Sequence, residues 1–265
     1  MGEVYVITSG KGGVGKTTTA ANVGTALAMC GKKVAMVDAD IGLRNLDVVM
    51  GLENRIVYDL VDVVEGFCKI KHALIRDKRV EGLYLLPAAQ TRDKSAVTPA
   101  QMKDICDQLR QDFDYVLVDC PAGIEQGFRN AIAGADKAIV VTTPEVAAVR
   151  DADRVVGLLQ PTDLYPPSLI INRYKPSMAK RGDMLDISDV QTTLALDILG
   201  VVPDDESIVV TTNKGEPAVF KNNSRAGQAF RNIARRIMGE QVPLIQLDSS
   251  DGFLGFVKRL VGMNR

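Results

Sequence analysis

The chain has 265 residues, 46% of them hydrophobic and 25% charged, which is ordinary for a globular domain with a sizeable core. Its formal net charge of -1 provides no overall attraction to nucleic acid, so no sequence-specific nucleic-acid partner is expected. The four cysteines, Cys30, Cys68, Cys106 and Cys120, lie far apart beside a single histidine, which argues against a thiol metal centre and favours reduced, buried thiols.

The first predicted element is a buried strand, Val4–Ile7, that runs into a glycine-rich loop. The loop reads G-K-G-G-V-G-K-T over Gly10–Thr17, and an Ala-rich helix is predicted over Thr18–Met29. Glycines let the backbone turn tightly and expose its N–H groups, and the helix N-terminus adds partial positive charge, so this loop is predicted to bind phosphate. The residues assigned to nucleotide phosphates are Gly10, Lys11, Gly12, Gly13, Val14, Gly15, Lys16, Thr17 and Thr18.

Two lysines lie in this loop, and each has its own predicted role. In a G-x-x-x-x-G-K-T loop, Lys16 reaches the β- and γ-phosphates and the Thr17 hydroxyl is placed to bind Mg²⁺. Lys11 adds a second positive charge directly after the first glycine. It is either a solvated surface charge or a group that neutralises charge developing on the transferred phosphoryl, as an arginine finger does. Lys11 and Lys16 are therefore candidate catalytic residues.

This K-G-G-x-G-K-T pattern resembles the deviant Walker A ATPases, the family that includes ParA and MinD. The resemblance implies an ATP hydrolase that uses Mg²⁺. It also implies that Lys11 reaches across a nucleotide-sandwich dimer to the partner's phosphates. Spacing by itself does not distinguish such a contact from one within a single subunit.

The second predicted strand, Lys33–Val37, ends in Asp38 and Asp40, at the sheet edge where open α/β sheets bind ligands. Acids here are also common turn residues. We assign Asp40 to catalysis and to the Mg²⁺ site, because hydrolysis needs a group that orients the attacking water and because Asp40 matches the switch I acid of the family. The next stretch, G-L-R-N-L-D, resembles the MinD branch, which implies that Arg44 and Asn45 contact the partner subunit or the nucleotide.

Further along, buried strands are predicted to alternate with helices, which implies a doubly wound, mainly parallel α/β sheet of the P-loop NTPase type. The predicted strands are Leu83–Leu86, Tyr115–Val118, Lys137–Val141, Leu169–Ile171 and a last one that ends at Val201 to Asp204. The predicted helices are Ile56–Val64, Ile70–Ile75, Pro99 to about Gln111 with Thr98 as its N-cap, Val146–Leu159 and Arg225–Met238.

The strand Tyr115–Val118 is followed by Asp119, the Walker B position, where a carboxylate holds Mg²⁺ through water. The sequence D-C-P-A-G that begins there resembles switch II of the family, which implies that the Gly123 N–H senses the γ-phosphate. A solvent-facing turn is the alternative interpretation.

Three acidic residues surround the start of the helix Val146–Leu159, where a charge cluster usually marks a solvated face. The motif V-R-D-A-D-R resembles the MinD branch, and this resemblance implies that Glu145 and Asp151 lie at the dimer and nucleotide interface and Asp153 near the partner-binding surface. The family also implies that Asn172, with Arg173, hydrogen-bonds the adenine edge, while Pro203 and Asp204 pack along the base.

A polar linker, 240–252, separates the predicted ATPase domain, 1–239, from a short apolar tail, 253–265. On a helical wheel the apolar side chains of the tail occupy about half the circumference and cations flank them. This arrangement is typical of a helix that lies in the surface of an anionic membrane, although a core helix is the alternative. The candidate membrane residues are Phe253, Leu254, Phe256, Val257, Lys258, Arg259, Leu260 and Val261.

The sequence shows no secretory leader and no run of about 18 apolar residues, so we expect a cytoplasmic protein. Resemblance to the MinD branch implies an ATP-dependent homodimer, peripheral on the cytoplasmic face of the inner membrane. It further implies a septum-positioning role through a MinC-type inhibitor of FtsZ assembly and a MinE-type activator or another topological factor.

Three other functions remain open. A ParA-type DNA-partition ATPase would bind DNA through surface arginines such as Arg231, Arg235 and Arg236, and would lack the tail. An FlhG-type flagellar-number regulator would share the tail but carry an extra N-terminal segment. A nucleotide-gated scaffold would show no phosphate release.

Overall fold

The computed structural model describes residues 1–245 and 247, with Lys94 described through its backbone alone. Its strands are β1 (Glu3–Thr8), β2 (Val34–Asp38), β3 (Ile75–Arg76), β4 (Leu83–Leu86), β5 (Tyr115–Asp119), β6 (Lys137–Thr142), β7 (Ser168–Tyr174) and β8 (Ile198–Pro203). They form one sheet in the order β3-β4-β2-β5-β1-β6-β7-β8. Neighbouring strands are parallel except for the short antiparallel pair β3 and β4.

Helices cover both faces of this sheet. They are α1 (Lys16–Met29), α2 (Leu46–Met50), α3 (Leu60–Val64), α4 (Ile70–Ala73), α5 (Pro99–Asp112), α6 (Gln126–Ile132), α7 (Val146–Leu159), α8 (Pro176–Lys180), α9 (Ile187–Leu194), α10 (Glu206–Thr212) and α11 (Arg225–Ile237). One hydrophobic cluster joins the sheet to α5, α7 and α9, and the other joins it to α1, α2 and α11. The doubly wound, mainly parallel fold is therefore confirmed. None of the helices in the described range is long and apolar enough to cross a membrane.

Local capping explains where the predicted elements are correct and where they are wrong. The helix α5 begins as predicted, because Thr98 and Gln101 form a capping box and Pro99 occupies the first turn. The predicted helix Ile56–Val64 is helical only from Leu60, because the Asp59 side chain accepts the first free N–H groups and fixes the start there.

Of the four cysteines predicted to be buried, Cys30 is exposed and Cys68 is only partly buried.

The second predicted helix, Ile70–Ile75, is also too long. It ends at Ala73, because Ile75 pairs with Leu85 as part of β3. The predicted strand Leu169–Ile171 is too short, since β7 continues to Tyr174 beside β8. Both errors arise from pairing with a distant strand, which a local pattern does not contain.

Arg79 joins three parts of the fold that are distant in sequence. Its guanidinium pairs with the buried Asp77 at 2.6 Å, donates to the Gly215 carbonyl at 2.7 Å and to the Met50 carbonyl at the end of α2, and lies over the Phe220 ring. Arg79 therefore holds α2 against the turn that follows α10.

Replacing Arg79 with methionine is expected to lower the free energy of unfolding by about 3 kcal/mol, because the buried Asp77 carboxylate loses its charged partner. Urea denaturation measures the loss. Arg76→Met is the matched control, since Arg76 is an exposed arginine on the same short segment and its removal should change stability by less than about 0.5 kcal/mol. Equal unfolding free energies for the two variants would contradict the structural role of Arg79.

Candidate functional site

The glycine-rich loop lies between β1 and α1, at the carboxyl ends of the parallel strands. A β-carbon on Gly10 would overlap the backbone carbonyl of Asp151 in α7. Gly15 has φ +96, and a β-carbon there would overlap the amide nitrogen of Asn172 in β7. The Asn172 amide nitrogen also donates to the Val14 carbonyl at 2.8 Å. The loop is therefore fixed between α7 on one side and β7 on the other.

The two lysines of the loop occupy different environments. Lys16 is buried, with 7% of its surface exposed, and its Nζ donates to Ser9 Oγ at 2.9 Å. Ser9 Oγ in turn donates to the Lys11 carbonyl at 2.8 Å. The Lys11 residue itself is exposed. Sequence reasoning did not identify Ser9, whose hydroxyl connects the backbone of one lysine to the side chain of the other.

Two carboxylates are buried directly beside the loop. Asp38 and Asp119 are partners in the β2–β5 register and are 1% and 2% exposed. Burial raises the pKa of both carboxyl groups. The charges of Asp40 and Asp47 add to the rise for Asp38, and the charges of Asp38 and Asp40 add to the rise for Asp119. Hydrogen bonding from the Thr17 side chain and the charge of Lys16 lower the pKa of Asp119 but do not cancel the rise. The positive charge of Lys16 therefore does not balance the two buried carboxylates at this corner of the site.

A divalent cation fits this deficit. Asp119 Oδ1 is buried and has no hydrogen-bond partner among the described residues. No group of three His, Cys, Asp or Glu side chains in the described range forms a metal site by itself. This agrees with Mg²⁺ chemistry, in which one or two protein oxygens combine with substrate phosphates. Thr17, Asp40 and Asp119 are the residues that would hold it, and Mg²⁺ bound there with ATP would neutralise charge on the β- and γ-phosphates.

Asp38 organises the switch I segment, a role that sequence reasoning missed. Its two carboxylate oxygens accept the backbone N–H groups of Asp40 at 3.0 Å, Asn45 at 3.2 Å and Leu46 at 3.1 Å. Because Leu46 begins α2, one side chain at the end of β2 fixes both the position of Asp40 and the start of the helix. The D-A-D spacing places one acid at the strand end and the next on the loop, but it does not distinguish a buried acid from an exposed turn acid.

Asp38→Asn is expected to loosen this segment, because the amide offers one acceptor oxygen where the carboxylate offers two. Local opening of residues 40–46 should become easier by about 1–3 kcal/mol. Hydrogen exchange in the absence of nucleotide measures it, and the amides of β7 serve as the internal control. Unchanged protection of residues 40–46 would show that the three hydrogen bonds do not hold the segment.

The two predicted switch I interface residues, Arg44 and Asn45, differ in their exposure and in their contacts. Asn45 is exposed. Arg44 has φ 41, a backbone conformation that favours glycine, and its Nε lies 3.0 Å from Oδ2 of the fully buried Asp47. The Arg44 side chain therefore forms an ion pair within its own subunit in this structure, and its predicted contact with a partner subunit stays a prediction.

Switch II lies against the same loop. A β-carbon on Gly12 would lie 3.7 Å from the Ala122 side chain, and Gly123, with φ +93, lies three residues before α6 begins. Gly123 has a backbone conformation that suits glycine, and its predicted contact with the γ-phosphate stays a prediction.

A cleft of about 330 Å³ beside α10 is lined by all four predicted base-binding residues. Its lining is Gly15, Thr18, Asn172, Arg173, Pro203, Asp204, Asp205, Ile208, Val209 and Phe230. We call this the α10 cleft. Pro203 and Ile208 supply an apolar surface for a flat ring. Asn172 is nearly buried: its amide nitrogen donates to the Val14 carbonyl and its amide oxygen accepts the Arg173 N–H, so its predicted contact with adenine stays a prediction. Sequence reasoning did not identify Ile208 as part of this lining, because an apolar residue on a short helix carries no charge or glycine pattern.

The predicted interface acids on α7 are spread along its first turns. Glu145 precedes the helix and lines a second, larger groove of about 800 Å³ that shares Arg173 and Asp204 with the α10 cleft. Asp151 lies beside Gly10 and 3.6 Å from Arg154, whereas Asp153 is exposed. The predicted membrane residues, 253–261, lie outside the described residues.

Known proteins share this architecture. A family model for ParA, described as NUBPL iron-transfer P-loop NTPase, matches residues 1–238. The septum site-determining protein MinD of Bacillus subtilis is 59% identical over 99% of both chains, and that of Thermotoga maritima is 54% identical over 92% of this chain and 91% of its own.

Two solved structures agree with these relatives. MinD in a MinC:MinD complex from Aquifex aeolicus superposes with a TM-score of 0.86 at 50% identity, covering 92% of this chain and 99% of that one. MinD from Pyrococcus horikoshii complexed with Mg-ADP gives 0.81 at 32% identity, covering 89% and 96%. Together with the buried Lys16, the exposed Lys11 and the Asp119 position at the end of β5, these similarities show that the chain belongs to the MinD family of septum site-determining P-loop ATPases within the ParA group.

Proposed function

We propose that this chain is a slow ATP hydrolase that dimerises around two Mg·ATP and thereby attaches reversibly to the cytoplasmic face of the inner membrane. The attached dimer recruits a MinC-type inhibitor of FtsZ assembly and so restricts where the septum forms. A MinE-type activator or another topological factor accelerates hydrolysis and releases the dimer into the cytoplasm. The similarity to MinD of the Aquifex aeolicus MinC:MinD complex supports a MinC-type partner by analogy.

One observation carries the dimer proposal: of the two lysines in the loop, one is buried within its own subunit and the other is exposed. Lys16 is buried against Ser9 and so is set to hold the phosphates bound to its own loop. Lys11 is exposed and so is available to a second subunit. In the proposed dimer Lys11 neutralises charge on the partner's transferred phosphoryl, and Asp40 orients the attacking water.

The α11 arginines argue against the DNA-partition alternative. Arg231 donates to the Val219 carbonyl, Arg236 donates to the Leu199 carbonyl, and Arg235 pairs with Glu240. Side chains used in this way are less available for DNA phosphates, which require uncommitted cations. The helix therefore offers a weaker basic surface than its sequence suggests.

The membrane proposal rests on the tail and on multivalency. A single short amphipathic helix binds lipid weakly, whereas two helices in one dimer gain from effective concentration. ATP would then control attachment through dimerisation.

Co-sedimentation with vesicles that contain anionic lipid tests this proposal. The intact chain should sediment with ATP at least about tenfold more than with ADP, because only the dimer engages two tails. A chain that ends at Gly252 should remain in the supernatant with either nucleotide. Equal sedimentation with both nucleotides would contradict ATP-controlled membrane attachment. Equal sedimentation of the two chains would contradict attachment through the C-terminal tail.

A further inference from the structure

Ser9 lies between β1 and the phosphate loop, and its side chain is fully buried. Its Oγ accepts a hydrogen bond from Lys16 Nζ at 2.9 Å and donates one to the Lys11 carbonyl at 2.8 Å. A hydroxyl has one proton, so donation to the carbonyl leaves only the lone pairs of Oγ for the ammonium. The backbone of Lys11 therefore orients Ser9 as an acceptor for Lys16.

A stronger partner for the Lys16 ammonium lies at the same corner of the site. Asp119 is buried there, and the charge of Lys16 opposes the rise that burial causes in the pKa of its carboxyl group, so the two groups are close. Asp119 Oδ1 nevertheless accepts no hydrogen bond from any described residue, Lys16 included. The Asp38 oxygens are already occupied by three backbone N–H groups. The hydrogen bond from Lys16 thus goes to a neutral hydroxyl and not to a carboxylate.

We propose that Ser9 is a positioning residue for nucleotide binding, which holds the Lys16 ammonium on a neutral hydroxyl and so prevents its direct pairing with Asp119. Both groups then stay available, the ammonium for the β- and γ-phosphates and the carboxylate for the Mg²⁺ site. The inference rests on the proposed binding of Mg·ATP. It adds a residue outside the G-x-x-x-x-G-K-T motif that acts through Lys16.

The physical reason is the difference in strength between the two partners. An ammonium binds a carboxylate more strongly than a hydroxyl, and burial increases the difference because the local dielectric constant is low. A lysine that left Asp119 for a phosphate would also leave a buried carboxylate without its charged partner. Phosphate removes Lys16 from the Ser9 hydroxyl at a smaller cost, so the hydroxyl favours nucleotide binding.

Ser9→Ala tests the inference in the full-length protein. A fluorescent ATP analogue measures nucleotide affinity in buffer with EDTA, where Asp119 has no Mg²⁺ to hold. The variant should bind the analogue roughly tenfold more weakly than the wild type, because Lys16 pairs with Asp119 once the hydroxyl is absent. In an Asp119→Asn background, the same Ser9→Ala substitution should change the affinity by less than about twofold, because the competing charge is absent.

The comparison of the two backgrounds separates positioning of Lys16 from a purely structural role of Ser9. A structural role would weaken binding equally in both, since it does not depend on the charge of Asp119. Thr25→Val is the matched control, because it removes a buried hydroxyl that bonds to the Ala21 carbonyl within α1, and it should bind the analogue as the wild type does.

Two results would overturn the inference and leave the proposed function intact. One is wild-type affinity in Ser9→Ala, and the other is an equal loss of affinity with aspartate and with asparagine at position 119. Failure of the wild-type protein to bind the analogue when Mg²⁺ is present would overturn both the inference and the proposed function.

Discussion

Replacement of Lys11 by alanine is expected to lower the steady-state rate of ATP hydrolysis by roughly 10³-fold while the protein still binds ATP. The reason is that the two loop lysines are proposed to act on the phosphates of different subunits. Lys16 stays buried against Ser9, where it is proposed to hold the phosphates bound to its own subunit. The variant loses only the exposed cation that is proposed to neutralise the partner's phosphoryl group.

Three measurements distinguish this outcome from general damage to the loop. A fluorescent nucleotide reports binding, light scattering of the eluted protein reports ATP-dependent dimerisation, and a phosphate sensor reports hydrolysis. Lys33→Ala is the control, because Lys33 is exposed at the amino end of β2 and far from the nucleotide. If the Lys11→Ala protein dimerises and hydrolyses ATP at the wild-type rate, Lys11 is only a solvated surface charge.

The second large effect concerns Asp40. Asp40→Ala is expected to slow hydrolysis by about 10²- to 10³-fold and to leave an ATP-bound dimer on the membrane, because the variant lacks the group that orients water but keeps both lysines. The backbone N–H of Asp40 still donates to Asp38, so the loop should retain its conformation. Vesicle binding should therefore persist after ATP is added, whereas wild-type protein is gradually released.

Single-turnover phosphate release and a time course of vesicle release measure the two consequences. Asp112→Ala, at the exposed end of α5, is a matched acidic control that should behave as wild type. Normal phosphate release from Asp40→Ala would remove Asp40 from the mechanism. Slow release combined with loss of ATP binding would instead assign Asp40 to nucleotide affinity.

The fold was predictable where the determinants are local. The helix Val146–Leu159 and the strand Leu83–Leu86 have the predicted bounds, because apolar spacing and flanking turn residues define them within a few positions. Lys16, Thr17 and Asp119 lie together at one corner of the site, because α1 begins after the loop that follows β1 and Asp119 ends the neighbouring parallel strand β5. The roles of these residues in hydrolysis stay predictions.

Long-range contacts were not predictable. Nothing in the sequence around Arg79 indicates that its acceptors lie at Met50 and Gly215, because the partners are set by the packing of α2 on the turn after α10. The Asp38 contacts were missed for a related reason: a buried carboxylate that accepts three backbone N–H groups has the same local sequence as an exposed turn acid.

The amino end of the sheet has a practical consequence for imaging. Met1 lies two residues before β1, whose first residue Glu3 is at the amino end of the strands. Leu199 lies at the same end, and Arg236 donates both to its carbonyl and to that of Val242, which follows α11. Under the proposed membrane attachment, a fluorescent protein fused to Met1 would therefore lie at the same end of the sheet as the residues that follow α11, and we expect it to weaken vesicle binding. Insertion of the fluorophore at an exposed position near the carboxyl ends of the strands, clear of α7 and the phosphate loop, would leave the amino end of the sheet unobstructed.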